Sequence, residues 1–364
     1  MDFNHLHLYV DNVAHWRDHL VRQWGARWVA SVAPSTQSPP TTALLCLGQV
    51  PLRLSAPSRP EVDGYLRHHP PGVADVAFWV SDLDQAIQPL IAQGGDLLTP
   101  ITEAPGGRWC QVQGWGSLRH TLVQSDRPMA WVPEVGAIPP GPSSQDNPLI
   151  SHIDHGVINV AAGEMAAAVD WYCQRLGFQP QQQFTIDTPW SGLRSQVLAH
   201  PQGGALLPIN EPTTPNSQIQ EFLDWNRGAG VQHIALHTGD IIHTVRRLKT
   251  LGVRFLEVPP GYYRALDQRP HPGEMVEDWQ HLQILADWDD GTPQAKLLQT
   301  FTEPIFPMPT LFFEIIQRQK SWANQRPIMA QGFGERNFQA LFEAMEQEQQ
   351  KRGRAKTLPQ GHNP

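Results

Sequence analysis

The chain has 364 residues, 40% of them hydrophobic, with a formal net charge of −8 and a pI of about 6.0. That length allows two domains of ordinary size, and the acidic balance argues against nucleic acid as a partner. No apolar stretch approaches the ~20 residues that span a bilayer, so no membrane segment is expected. The start, Met1-Asp2-Phe3-Asn4-His5, lacks a basic region followed by an apolar run. Cys46, Cys110 and Cys173 are scattered and odd in number, which suits a reducing cytoplasm without a disulfide framework.

A strand followed by a helix that stops at glycine recurs four times. The first strand holds His5-Leu6-His7-Leu8-Tyr9-Val10 and leads into a helix with Val13, Trp16 and Leu20 on one face, ending at Gly25. A Pro/Ser/Thr-rich stretch over 34–43 reads as a loop. The second strand, Val73 to Val80, precedes Leu83, Ile87, Leu90 and Ile91, with the stop at Gly94. Residues 126–149 carry Pro128, Pro133, Pro139, Pro140, Pro142 and Pro148 and read as an inter-domain connector.

The third strand contains His155 and leads to Met165, Ala168, Val169, Tyr172 and Leu176, stopping at Gly177. The fourth contains His233 and leads to Ile241, Val245 and Leu248, stopping at Gly252. Short β-like runs follow each helix, such as Ser195 to Ala199 and Ala205 to Asn210. The expected architecture is α+β: four βαβββ modules paired into two open β-barrel-like domains, 1–125 and 150–330. After Gly334, the spacing of Phe338, Leu341, Phe342 and Met345 predicts an amphipathic helix within 331–352. Residues 353–364 complete a basic, solvated tail.

Three residues of the second half carry the chemistry. His155, His233 and Glu314 each interrupt an apolar strand, where an unpaired polar side chain is costly. A lone histidine there is usually a hydrogen-bonded structural one. The two histidines, however, occupy the same place in the first strands of modules three and four, and Glu314 lies in the last strand of module four. Paired modules would bring all three into one cavity. Two imidazoles and a carboxylate suit non-haem Fe(II), which keeps positions open for substrate and O₂. By ligand type alone, catalytic zinc is equally admissible. His152 is three residues from His155, so strand alternation assigns it to the opposite face. The corresponding set in the first half is His5, Asp75 and Thr121, a poor one for iron. Gln232 precedes His233 and points away from it unless the strand is bulged.

The second half closely resembles the 4-hydroxyphenylpyruvate dioxygenase family of the vicinal-oxygen-chelate superfamily. The matching stretches are Ile153-Asp154-His155, Gly192-Leu193-Arg194-Ser195, Leu207-Pro208-Ile209-Asn210-Glu211-Pro212, Ser217-Gln218-Ile219-Gln220, Gly230-Val231-Gln232-His233, Leu297-Leu298-Gln299-Thr300-Phe301-Thr302, Phe312-Phe313-Glu314-Ile315-Ile316-Gln317-Arg318 and Gly332-Phe333-Gly334-Glu335-Arg336-Asn337-Phe338. The resemblance implies the vicinal-oxygen-chelate fold, Fe(II) on His155, His233 and Glu314, and a C-terminal helix over the active site. It implies a polar substrate environment of Ser195, Asn210, Gln218, Gln232 and Gln299, walled by Phe301, Phe312, Phe333 and Phe338. Gln218, Gln299 and Asn337 take catalytic roles. The implied reaction converts 4-hydroxyphenylpyruvate and O₂ to homogentisate and CO₂ in a homodimer or homotetramer. Hydroxymandelate synthase, an extradiol ring-cleaving enzyme and a non-catalytic small-molecule binder on the same fold are the rival readings. Arg336 replaces a family glycine and is strained if that position needs positive φ.

Overall fold

A computed structural model describes residues 1–32, 40–128, 130–140, 149–270, 276–289, 294–323 and 326–357. Most of the 34–43 stretch, Pro142, Pro148 and the end of the tail lie outside them. The first module comprises β1 (Asp2–Tyr9), α1 (Val13–Trp24), β2 (Arg27–Val32), β3 (Thr42–Leu47) and β4 (Val50–Ser55), followed by α2 (Pro60–His68). The second comprises β5 (Gly72–Trp79), α3 (Leu83–Ala92), β6 (Leu97–Ala104), β7 (Gly107–Gln113) and β8 (Arg119–Ser125). A short hairpin follows, β9 (Trp131–Val132) and β10 (Gly136–Ala137). The third module is β11 (His152–Asn159), α4 (Met165–Leu176), β12 (Gln179–Asp187), β13 (Gly192–Ala199) and β14 (Leu206–Pro212), with α5 (Gln218–Asn226) after it. The fourth is β15 (Gly230–His237), α6 (Ile241–Thr250), α7 (Pro260–Asp267), α8 (Val276–Leu282), β16 (Leu285–Asp287), β17 (Leu297–Phe301) and β18 (Phe312–Arg318). A hairpin of β19 (Lys320–Ala323) and β20 (Arg326–Met329) precedes α9 (Glu335–Thr357). No helix of the described residues is long and apolar enough to cross a membrane.

The module helices start and stop where side-chain chemistry dictates. Asn12, Asp82 and Asp240 cap α1, α3 and α6 by accepting the backbone N–H three residues on. Gly25 and Gly177 end α1 and α4 with φ of 67° and 73°, a conformation that costs glycine little.

Paired modules build one sheet per domain. The strand orders are β2-β3-β4-β1-β5-β8-β7-β6 and β12-β13-β14-β11-β15-β18-β17-β16, the same topology twice. In each, the two module-opening strands pair antiparallel at the centre, and each pairs in parallel with the last strand of its own module. The domains share a continuous core: Trp24 of α1 packs edge-on against Phe313 of β18 at 4.9 Å, and His120 Nε2 lies 3.0 Å from the Tyr172 hydroxyl.

Both central ladders carry two bulges at equivalent places. An extra residue sits before the histidine of the opening strand, Asn4 in β1 and Asp154 in β11. Another sits in the partner strand, Ala74 in β5 and Gln232 in β15. The bulge corrects the expectation for His152. It faces His237, while His155 faces Ala235, so the two histidines are in phase despite their odd separation. His152 is nevertheless occupied elsewhere, stacked on His237 at 4.4 Å with its Nδ1 2.9 Å from Ser151 Oγ.

The segment read as a connector contributes to the first domain. Trp131, Val132 and Ile138 are buried, the last two with Leu44 and Cys46. Glu134 at the hairpin tip meets Arg53 at 2.6 Å and Arg59 at 2.7 Å. Arg336 is also not strained. It lies in the first turn of α9, the positive φ angles fall on Gly332 and Gly334, and its guanidinium meets Asp287 at 3.0 Å.

Candidate metal centre

Three neighbouring strands deliver the three side chains. β11 supplies His155, β15 supplies His233 and β18 supplies Glu314. Ala235 is the register partner of both His155 and Glu314. It lies two residues from His233, on the same face. By this register a methyl group stands between the strands of His155 and Glu314, on the face the donors share. Glu314 Oε2 lies 3.3 Å from His155 Nε2 and 3.6 Å from His233 Nε2, and one ligand atom from each residue falls within 4.8 Å of the others. Ligands about 2.1 Å from one ion and at right angles are about 3 Å apart, so the three donors could hold a single metal.

Both bulges serve the imidazoles. The Nδ1–H of His155 donates to Asp154 Oδ1 at 2.9 Å, and His233 Nδ1 lies 3.4 Å from Gln232 Oε1. An acceptor at Nδ1 fixes the tautomer with its lone pair on Nε2, the atom aimed at the centre. Asp154 is in turn clamped by Arg318 through two 2.7 Å hydrogen bonds. Burial alone would raise the Asp154 carboxyl, but the hydrogen bonds from Arg318 and His155 reverse this and hold it well below the carboxylate range. Burial opposes a charge on His155 as well, yet Glu314 and Asp154 push it up to about 9. Burial, and then the charge of His155, push His233 well below its ordinary value. Arg318 already offsets Asp154, so the second buried carboxylate, Glu314, is left to a proton on His155 or a metal between the three donors.

Several of the predicted substrate residues connect to this centre. Gln299 Nε2 donates to Glu314 Oε1 at 2.8 Å, and Asn337 Nδ2 donates to Gln299 Oε1 at 2.8 Å. Phe312 stacks on His233 at 4.7 Å, Phe333 meets His155 edge-on at 5.0 Å, and Phe301 lies 6.4 Å from His233. Ser195 and Asn210 face each other across β13 and β14. Ser195 Oγ, Asn210 Oδ1 and Gln218 Oε1 are buried without a hydrogen-bond partner. Such atoms are costly unless a ligand satisfies them. Gln218 is the first residue of α5, behind the Ser217 cap. Phe338 packs edge-on against Phe184 at 5.1 Å. A cavity of about 30 Å³ remains beneath α9, lined in part by Gln218, Gln232, Phe312 and Met345.

Sequence reasoning missed four contributors. Asp154 and Arg318 are two of them, and the local signal for the first is an acid directly before a strand histidine. Asn159, buried with both amide atoms unpartnered opposite Asn210, and Tyr262, whose hydroxyl donates to Asn337 Oδ1 at 2.8 Å, depend on cross-strand and cross-helix contacts that no local pattern reveals.

The first domain closes the equivalent position on itself. Asp75 pairs with Arg119 as His233 pairs with Phe312, which puts Thr121 at the place of Glu314. The Asp75 carboxylate accepts from the Thr121 hydroxyl, from Thr121 N at 2.9 Å and from Gln111 Nε2 at 2.7 Å.

Comparison with known proteins places the chain. Residues 4–110 and 150–269 each match a model of the glyoxalase/bleomycin resistance protein/dioxygenase superfamily. A Synechocystis protein described as uncharacterized is 36% identical over 360 residues, covering 95% of this chain and 97% of the relative. The 4-hydroxyphenylpyruvate dioxygenase of Yarrowia lipolytica is 34% identical over 385 residues, covering 96% of this chain and 93% of the relative. Among solved structures, a triple mutant of 4-hydroxymandelate synthase from Streptomyces coelicolor superimposes with a TM-score of 0.78 at 28% identity, covering 96% of this chain and 99% of that one. The chain belongs to the glyoxalase/bleomycin resistance protein/dioxygenase superfamily and, within it, to the 4-hydroxyphenylpyruvate dioxygenase family of oxidoreductases.

Proposed function

We propose that this chain is an Fe(II)-dependent dioxygenase converting 4-hydroxyphenylpyruvate and O₂ to homogentisate and CO₂. The observation that carries the reading is a buried group of two imidazoles and one carboxylate, and the buried, unpartnered polar atoms of Ser195, Asn210 and Gln218 in the same domain support it. His155, His233 and Glu314 would hold the ferrous ion, which would supply the redox chemistry that O₂ activation requires.

The side chains do the rest. Glu314 offsets one of the ion's two charges, so the site stays electropositive enough to hold an anionic keto acid. Ser195, Asn210 and Gln218 offer hydrogen bonds to the substrate's polar atoms, while Phe301, Phe312 and Phe338 provide the wall for an aromatic ring. Phe333 and α9 exclude water from the reacting centre. The substrate brings its own keto acid, so no second keto acid is needed. A homodimer or homotetramer belongs to the same reading, and light scattering tests it.

The structural likeness to 4-hydroxymandelate synthase supports a second reading, in which the benzylic carbon of the same substrate is hydroxylated. The aromatic wall at Phe301 and Phe338 favours attack on the ring. The test mixes ferrous protein with 4-hydroxyphenylpyruvate anaerobically, looks for a visible charge-transfer band, admits air and identifies the product by NMR. The two products are isomers, so the ring and benzylic proton signals decide between them. Homogentisate supports the first reading and a benzylic alcohol the second. No loss of the keto acid by iron-loaded protein defeats both.

A further inference from the structure

Glu314 is the end of a hydrogen-bonded chain that leaves the cup. A carboxylate only accepts, so Gln299 must present its NH₂ to Glu314 Oε1, at 2.8 Å. That turns Gln299 Oε1 towards Asn337 Nδ2, also at 2.8 Å. The Asn337 amide is thereby oriented with Oδ1 outward, where the Tyr262 hydroxyl donates to it at 2.8 Å. Tyr262 is held further by Ala286: its oxygen accepts that residue's backbone N–H at 2.8 Å, and its one proton is shared between Asn337 Oδ1 and Ala286 O, the latter 2.9 Å away. Gln299, Glu314 and Asn337 are all buried, with relative exposures of 3%, 1% and 0%. Burial raises the phenol of Tyr262, so it remains a donor at any working pH.

The alternatives to this arrangement are poor. If Asn337 flips, its oxygen faces the Gln299 oxygen. If both amides flip, the Gln299 oxygen faces a carboxylate. Only a donor at the outer end makes every contact complementary, and Tyr262 on α7 is that donor. The other oxygen of Glu314, Oε2, is the one that approaches both imidazoles.

We propose that Tyr262 is a positioning residue for the metal carboxylate: through Asn337 and Gln299 it holds Glu314 with Oε1 hydrogen-bonded and Oε2 presented to the ion. This rests on the reading that His155, His233 and Glu314 bind a metal. Without the chain, the carboxylate is free to rotate or to present both oxygens.

The test uses metal-free full-length protein titrated anaerobically with Co(II), read by its visible ligand-field bands, and requires no substrate. Tyr262→Phe keeps the ring and removes the donor; Co(II) binding is expected to weaken about tenfold, with altered bands, in the range for partners of metal ligands. Tyr263→Phe is the control, because among the described residues its hydroxyl bonds to the carbonyls of Trp279 and Ile284, and it should leave the bands unchanged. Asn337→Asp still accepts from Tyr262 but offers Gln299 no N–H, and should weaken binding at least as much. In an Asn337→Ala background, adding Tyr262→Phe should cost nothing further. The proposal is overturned if Tyr262→Phe matches the wild type in affinity and bands, or if it loses the same factor in the Asn337→Ala background. Should Tyr262→Phe not fold, wild-type affinity in Asn337→Asp overturns it. A wild type that takes up no Co(II) defeats the metal reading itself, a separate result.

Discussion

Ala235 lies directly across the β11–β15 ladder from His155, and the same alanine faces Glu314 across the next ladder. On that register its methyl group would floor a metal held by the three donors. Ala235→Leu adds three carbons to that floor, between the two ligands. Overpacking of this kind costs roughly 1–3 kcal/mol of stability, so the domain should still fold. Metal content should fall to near zero while the melting transition remains cooperative. Stoichiometric metal in purified Ala235→Leu would refute the assignment of this volume to the ion.

Asp154 is a second point of leverage, because it serves His155 and Arg318 together. Arg318 is nine-tenths buried, its side chain 10% exposed. Asp154→Ala strands that guanidinium, and breaking a buried pair from one side costs about 3–5 kcal/mol. Removing both charges with Asp154→Ala and Arg318→Met should recover much of that stability, since an apolar replacement of the pair is close to neutral. Metal affinity should not recover, because His155 Nδ1 still lacks its acceptor; a loss of 10–100-fold is expected. Urea unfolding and metal titration of the wild type and the two variants separate the two effects. Equal destabilisation in the single and double variants would count against the ion pair.

Much of this was legible in the chain. Four apolar periodicities ending at glycine identify the modules, because a helix face and its stop are local properties. The triad was visible because polar groups in apolar strands are improbable. What remained hidden depends on register. A bulge is one extra residue in a ladder, and no residue type announces it, so His152 was assigned to the wrong phase and Gln232 could only be treated conditionally. The burial of Trp131, Val132 and Ile138 in a proline-rich segment, and the reach of Tyr262 to Asn337, arise from tertiary packing. Arg336 looked strained only because a family glycine was assumed to need positive φ; here the first turn of a helix accommodates it.

The first domain should make the protein acid-sensitive. Burial pushes His5 down to about 4, with Asp75 opposing and Arg53 assisting, and burial followed by Arg53 pushes His7 well below its ordinary value. The unfolded chain binds these protons near pH 6.5, whereas the folded chain does not until about pH 4 or lower. Their contribution is therefore complete above pH 6.5 and is lost as pH falls towards 4, by up to roughly 1 kcal/mol per pH unit for each histidine. Urea unfolding at pH 7.5 and pH 5 measures the slope. His7→Gln retains a donor for Ser55, which His7 Nε2 meets at 2.8 Å, and should flatten the slope by one histidine's share. An unchanged slope in His7→Gln would remove His7 from the account.

The C-terminal helix is tied to the cup at both ends, and this makes a graded truncation informative. At its start, Phe333 packs against His155 and Asn337 completes the Gln299 hydrogen bond. Further along, Glu346 accepts from Thr188 Oγ1 at 2.7 Å and from Ser191, and Arg352 pairs with Glu221 at 2.6 Å. Phe338, Leu341 and Met345 cover Leu256, Phe301 and Phe312, while Phe342 covers Ile219 and Phe222. Removing 353–364 leaves all of these contacts in place and should leave turnover within about twofold of the full chain, since none of the named contacts involves the residues removed. Removing 333–364 opens the cup to water and strips Gln299 of its partner, so turnover should disappear and metal affinity should fall with it. The combination separates a covering role from a structural one. Full turnover in the 333–364 deletion would show that α9 neither seals the centre nor positions Glu314.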